Sequence, residues 1–168
     1  NGGGAFGPNT RLRPTSFTDG LSNTLGYSEV KAFTPRFHDA TLPGSPPATP
    51  NDVFPSVAGG AWSPNSGHTE WVCGRAIHTG FATTFTPNTQ VPAVVGGQTY
   101  DFDVTSIREG TDAVSITYGV ITTRSYHSGL VNALLMDGSV RPVTNSVSLG
   151  TWRSLGTRAG GEVITENY

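Results

Sequence analysis

The chain contains one cysteine, one lysine and one methionine in 168 residues, and charged side chains make up only 13% of it. A lone Cys73 excludes an internal disulfide framework and leaves the redox compartment unreadable from cysteine usage. The nine arginines and Lys31 are scattered, with no basic run interleaved with aromatics, and the net charge is −2; nucleic acid is therefore not an expected partner. No stretch approaches the roughly 18 consecutive apolar residues of a membrane span, and no charged-then-apolar signal opens the chain. It begins NGGGAFG rather than with methionine, which suggests a processed or truncated product whose missing N-terminus could have carried an address.

Apolar residues make up 35%, and the polar share is carried by Thr, Ser, Asn, Gly and Pro rather than by charge. A disordered chain shows the opposite balance. This length fits one domain, 1–168, able to bury a core. The composition predicts a mainly β fold: antiparallel sheets built from hairpins, with two short helices and long Pro/Gly-rich loops.

Along the chain, Pro14 is placed to open a short helix. Thr18 and Asp19 suit the N-terminal end of a turn over TDGLSN. LGYSEVKAF (25–33) alternates as a strand. Prolines at 35, 43, 46, 47, 50, 55 and 64 predict a surface loop or arm over about 34–65. HTEWVCGRAIHTGFATTF reads as two strands meeting in a tight turn at Cys73-Gly74. That pairing puts His68 and Glu70 on one sheet face and His78 on the other. Tyr100, Phe102 and Val104 alternate with Asp101 and Asp103 as a half-buried strand, and SITYGVITTRSY (115–126) is a further strand candidate. Near the C-terminus, Ser148 is a cap for a helix carrying Leu149, Trp152 and Leu155 on one stripe, with Gly156 ending it.

The segment SYHSGLVNALLMDGSVRPV raises the question of chemistry. Asp137-Gly138 is a strong two-residue hairpin signal, and that register sets Leu130 opposite Asn145 and His127 near Ser148. Ten positions of extended chain separate His127 from Asp137 by roughly 33 Å, and a bend at Ser128-Gly129 still leaves about 23 Å. The two therefore do not form one catalytic pair. His127 is expected to lock the strand near the closing helix, and Asp137 to make the turn.

Other chemistry has weak signals. His68 and Glu70, two apart on one strand, supply two ligands for a metal such as zinc, with His38, His127 or Glu29 as a third. Asp101 and Asp103 offer oxygens to calcium but lack a ligand-dense loop. There is no Gly-x-Ser-x-Gly elbow, no His-Glu-x-x-His, no paired cysteines and no phosphate-cradling loop. No organic cofactor is expected, and nothing beside Cys73 is arranged to activate it.

The run RSYHSGLVNALLMDGSVRPVTNSVSLGTWRSLGTRAGGEV, with its His, nine residues, Asp-Gly, resembles the C-terminal signature of prepilin-like proteins abundant in planctomycetes and related bacteria, a family carried as a domain of unknown function. The likeness extends to FGPNTRLRPTSFTDGLSNTLGYSE and GHTEWVCGRAIHTGFATTFTPNT. Such proteins typically begin with a prepilin-like leader and a long apolar helix before a mostly β globular part. The resemblance thus implies a pilin-like globular domain without that helix, exported to the cell envelope. Its partners would be proteins, or further copies in an assembly, with membrane contact only through the missing helix. It implies structural roles for His127, Asp137 and Gly138 and no catalytic residue. Two positions depart from the pattern: Cys73-Gly74 stands where Asp-Gly is common, and Pro142 where an aromatic commonly follows the arginine of the last hairpin, which suggests an edge strand.

Three readings follow. The first is a non-enzymatic, pilin-like or pseudopilin-like domain for surface assembly or interaction. A metal-dependent hydrolase centred on His68 and Glu70 is the second, and a carbohydrate- or surface-binding module using Trp62 and Trp71 the third.

Overall fold

The computed structural model describes residues 3–7, 10–106, 118–165 and 168. In chain order its strands are β1 (Leu25–Ser28), β2 (Thr34–Ala40), β3 (Ala61–Gly67), β4 (Pro92–Val95), β5 (Gln98–Asp101), β6 (Asp103–Ser106), β7 (Gly119–Val120), β8 (Leu130–Leu135) and β9 (Val140–Thr144). The α-helices among the described residues are short: α1 (Val53–Ser56), α2 (Ala76–Thr79) and α3 (Leu149–Leu155). The fold is mainly β, as the composition predicts. Among the described residues no helix is long and apolar enough to cross a membrane.

The strands form a three-stranded sheet in the order β1-β8-β9, a four-stranded sheet in the order β3-β2-β6-β7, and the β4-β5 hairpin. The first sheet is antiparallel throughout. In the second, β2 runs parallel to β6, so that sheet is mixed rather than purely antiparallel. Each sheet has its own apolar core. Val131, Ala133 and Leu135 of β8 alternate inward beneath Trp152 and Leu155 of α3, with Leu25, Val143 and Val147 closing the cluster. Phe102, Val104, Val120, Val53, Phe85 and Val91 fill the other.

The closing helix forms as expected, with Ser148 Oγ accepting the Thr151 N–H at 3.1 Å and Gly156 following its last turn. The Asp-Gly hairpin also forms, but one position short of the expected register. Leu134 pairs with Val140 and Leu130 with Thr144, not Asn145. Gly138 takes φ 90°, its N–H donates to the Leu135 carbonyl, and the Leu135 N–H donates to the Ser139 carbonyl. This is the three-residue loop in which a left-handed glycine adds a bulge after the turn. Pro142 lies on β9, an edge of its sheet, where its missing donor costs no ladder bond.

Several expectations are corrected. The 34–65 segment is not an arm, since its two ends are β2 and β3, paired with each other. Pro35 and Pro64 both fall in the register break between Thr34↔Gly67 and Arg36↔Ser63, where an irregular ladder needs no proline donor. No hairpin forms at Cys73-Gly74. The partner of β3 is β2, which approaches so closely that a Cβ on Gly67 would lie 2.7 Å from the Thr34 carbonyl oxygen. The chain then reverses at His68, at φ 56°, closes a turn from Glu70 to Cys73, and runs into α2.

β1 stops at Ser28, short of the expected 25–33. The strand through Tyr100, Phe102 and Val104 divides at Phe102: β5 turns back on β4 through Gly96-Gly97, and β6 joins the larger sheet with Asp103 fully buried. Of the SITYGVITTRSY run, Gly119–Val120 is strand, and residues 115–117 lie outside the described residues. Asp19 does not cap the turn at Leu21–Asn23. Its carboxylate accepts the N–H groups of Gly160 and Gly161 at 2.7 and 2.9 Å, tying the two ends of the chain together.

Candidate functional site

The signature histidine meets a residue that the sequence offered only as a distant ligand. His127 Nε2 lies 3.2 Å from Glu29 Oε1, just past the end of β1, and not beside Ser148. The other Glu29 oxygen accepts the Asn132 N–H at 2.7 Å. Burial alone pushes the Glu29 carboxyl upward, but the Asn132 hydrogen bonds and the neighbouring His127 outweigh it, holding the group below its ordinary 4.5. Asp137 stands at the far end of β8, where Oδ1 accepts from the Ser139 N–H and hydroxyl at 2.9 and 2.7 Å. A strand separates the two signature residues, and each has its own local task.

Next to Glu29 runs a buried charge seam. Glu29's carbonyl accepts the Arg124 N–H. The Arg124 guanidinium grips Asp101 through Nε and Nη2, both at 2.8 Å, and donates from Nη1 to Asp103 Oδ1 at 2.6 Å. Burial pulls this guanidinium down, yet the Asp103 and Asp101 carboxylates more than reverse that, so it is held above its ordinary range. Asp101 and Asp103 are therefore ion-pair partners of an arginine rather than open calcium ligands. On the far side of Asp103, Oδ2 lies 3.3 Å from His68 Nε2, and His68 Nδ1 lies 3.3 Å from the His78 carbonyl.

The seam ends at the turn after β3. The residues named as metal candidates are sent to different partners: His68 to Asp103, Glu70 to His78, and His127 to Glu29. His38 pairs with Asp39, whose carboxylate also receives Arg75 Nη2 at 3.1 Å. The turn and α2 instead gather Glu70, Cys73 and His78, reversing the expectation that His78 points away from Glu70. A ligand atom from each lies within 4.8 Å of the others, the one such trio among the described residues. Burial lowers the His78 pKa, opposed by Glu70 and reinforced by Arg36, His68 and Arg75, which favours the neutral imidazole that binds metals.

The available sequence signal for this trio was Glu-x2-Cys-x4-His, obscured by the assumed hairpin. Arg124 carried no local signal at all, because its partners lie more than twenty positions upstream.

Two further features bear on function. Trp62 is packed against Phe37 and Tyr100, at centroid distances of 4.8 and 5.2 Å, so it is not a free stacking platform. Trp71 and Val72, at the tip of the turn, are 85% and 103% exposed. A cleft of about 1130 Å³ passes between Leu25–Ser28 and Phe81–Thr84; its described lining includes Arg75 and Arg153 but no carboxylate, histidine or cysteine.

These features define a mainly β domain in which the buried Arg124, Asp103 and His68 tie separate segments of the chain to one another. Residues 1–150 match the family described as "Protein of unknown function (DUF1559)", and the chain belongs to that family. No curated protein and no solved structure matches it.

Proposed function

We propose that this chain is a non-enzymatic, pilin-like or pseudopilin-like domain of an exported envelope protein, acting in surface assembly or interaction, in the manner of the prepilin-like proteins its signature resembles. The observation that carries the reading is the adjacent Trp71 and Val72, raised on a turn with nearly their whole surfaces in solvent. Single exposed apolar residues are common, but tryptophan is enriched at the anchor points of protein interfaces. The charge seam supports a structural role, since its Arg124 and Asp103 groups are committed to each other away from solvent.

The test is the full-length gene. An upstream prepilin-type leader followed by an apolar helix is the expected result, together with recovery of the product in the envelope fraction. Trp71→Glu with Val72→Lys should then reduce cross-linking of the full-length protein to its neighbours while leaving the melting temperature unchanged. An upstream sequence lacking both leader and helix, or a product confined to the cytoplasm, would overturn the reading.

A further inference from the structure

Glu70, Cys73 and His78 present three different metal-binding atoms from one turn and the helix that follows it. A carboxylate oxygen, the thiol sulfur and an imidazole nitrogen lie within 4.8 Å of one another. In a tetrahedral zinc site, with bonds of about 2.0 to 2.3 Å, such atoms stand roughly 3.3 to 3.7 Å apart. Closing that difference takes shifts on the order of 1 Å, which side-chain rotation of Glu70 and Cys73 can supply.

A second observation points to the same place. The His78 side chain is 3% exposed, and its Nε2 stands 3.5 Å from Glu70 Oε2, beyond the usual length of an N–H···O bond. Its Nδ1 is buried with no hydrogen-bond partner. A buried imidazole thus faces the cluster with neither nitrogen well satisfied, although buried polar atoms are normally paired.

We propose that Glu70, Cys73 and His78 bind a zinc ion, with water completing a four-coordinate site. The donor set selects the metal, because thiolate and imidazole suit zinc whereas calcium and magnesium take oxygen ligands. Charge agrees. The Glu70 carboxylate and Cys73 thiolate neutralise a divalent ion beside Arg36 and Arg75, whose own charges act on His78. Bound there, the ion cross-links the ends of the turn that displays Trp71 and Val72. The site stands on its own geometry and does not depend on the assembly reading.

Cobalt(II) titrated into the purified chain is the direct test. One equivalent should bind, producing thiolate-to-cobalt charge-transfer absorption and the strong visible bands of four-coordinate cobalt, and zinc should displace it. Cys73→Ser should abolish the charge-transfer band. Glu70→Gln should weaken zinc binding by at least the roughly 10–100-fold that loss of an outer-shell partner costs. His78→Gln should do the same, with circular dichroism checking that it folds. Because Glu70 is exposed, its variant keeps the test decisive if the buried His78 variant unfolds. His127→Ala should leave the affinity unchanged. Failure to take up one equivalent of cobalt, a charge-transfer band that survives Cys73→Ser, or unchanged zinc affinity in Glu70→Gln would each overturn the assignment.

Discussion

Replacing Arg124 with methionine removes the centre of the buried charge seam while keeping most of the side-chain volume. The Arg124 side chain is 5% exposed and Asp103 fully buried, and their contact is 2.6 Å. Without the guanidinium, Asp103 keeps the Thr122 N–H at 3.1 Å and His68 at 3.3 Å, but loses its fixed positive partner in a place water does not reach. Breaking a buried ion pair from one side costs about 3–5 kcal/mol, a large part of the 5–15 kcal/mol typical of a domain. With a urea slope on the order of 2 kcal/mol per M, the unfolding midpoint should fall by about 2 M.

Asp101→Asn is the comparison. Asp101 is partly exposed and can rehydrate, its replacement can still accept the Val91 N–H, and Arg124 retains Asp103, so the loss should be about 1 kcal/mol. The double variant Arg124→Met with Asp103→Asn removes both charges, and should be more stable than the sum of the single losses implies by at least about 1 kcal/mol. A loss below about 1 kcal/mol for Arg124→Met, or strict additivity in the double variant, would refute the claim that this buried pair stabilises the fold.

Glu29 gives a pH signature. Its folded pKa is lowered, so its contribution is fully present above its ordinary value of 4.5 and is lost as pH falls through the folded value. The melting-temperature difference between the unaltered chain and Glu29→Gln should therefore shrink in acid; a constant difference from about pH 6 to pH 3 would contradict it. Trp152→Ala should cost about 3–5 kcal/mol in a denaturant titration, from the cavity under α3. Trp152→Phe should cost clearly less, because the indole N–H has no hydrogen-bond partner to lose. Gly138→Ala meets no neighbouring atoms, so only its φ of 90° is strained, and the loss should be about 1–2 kcal/mol. A larger drop would mean that the hairpin register itself had changed.

The parts of the fold that were legible in the sequence are those decided by neighbours in the chain. Ser148, Trp152, Leu155 and Gly156 carry cap, stripe and stop within nine positions, and α3 forms as those signals direct. Asp137-Gly138 likewise marks its turn, though the loop length that sets the register depends on how the strands twist into it. The Cys73-Gly74 hairpin failed for the opposite reason. Its two flanks have strand character, but β3 takes β2 as its partner, some thirty positions upstream, and leaves residues 75–79 free to coil into α2. The prolines of 34–65 misled because a register break absorbs Pro35 and Pro64 within paired strands. A hairpin at Cys73-Gly74 would set His78 on the face away from Glu70, whereas the turn into α2 brings His78 together with Glu70 and Cys73.

The polar contacts run as one chain of neighbours from the signature histidine to that trio: His127 to Glu29, Glu29 through its carbonyl to Arg124, then Asp103, His68, the His78 carbonyl, and Glu70. Exposure divides the chain into parts with different capacities. Its middle is dry, so Arg124 and Asp103 hold structure and cannot reach a solute. Its two ends are wet, with His127 and Glu29 half open at one and Glu70 exposed at the other. Chemistry with a ligand is thus confined to the ends, and the ends are unequal. At His127 the Glu29 carboxylate is already occupied by Asn132, leaving one nitrogen and one engaged oxygen, too few for a metal. At Glu70 a carboxylate oxygen and a thiol sulfur converge on a buried imidazole that has no good hydrogen bond. The conspicuous signature therefore marks the structural end of the seam, and the chemically capable end is the turn where the sequence shows a single cysteine.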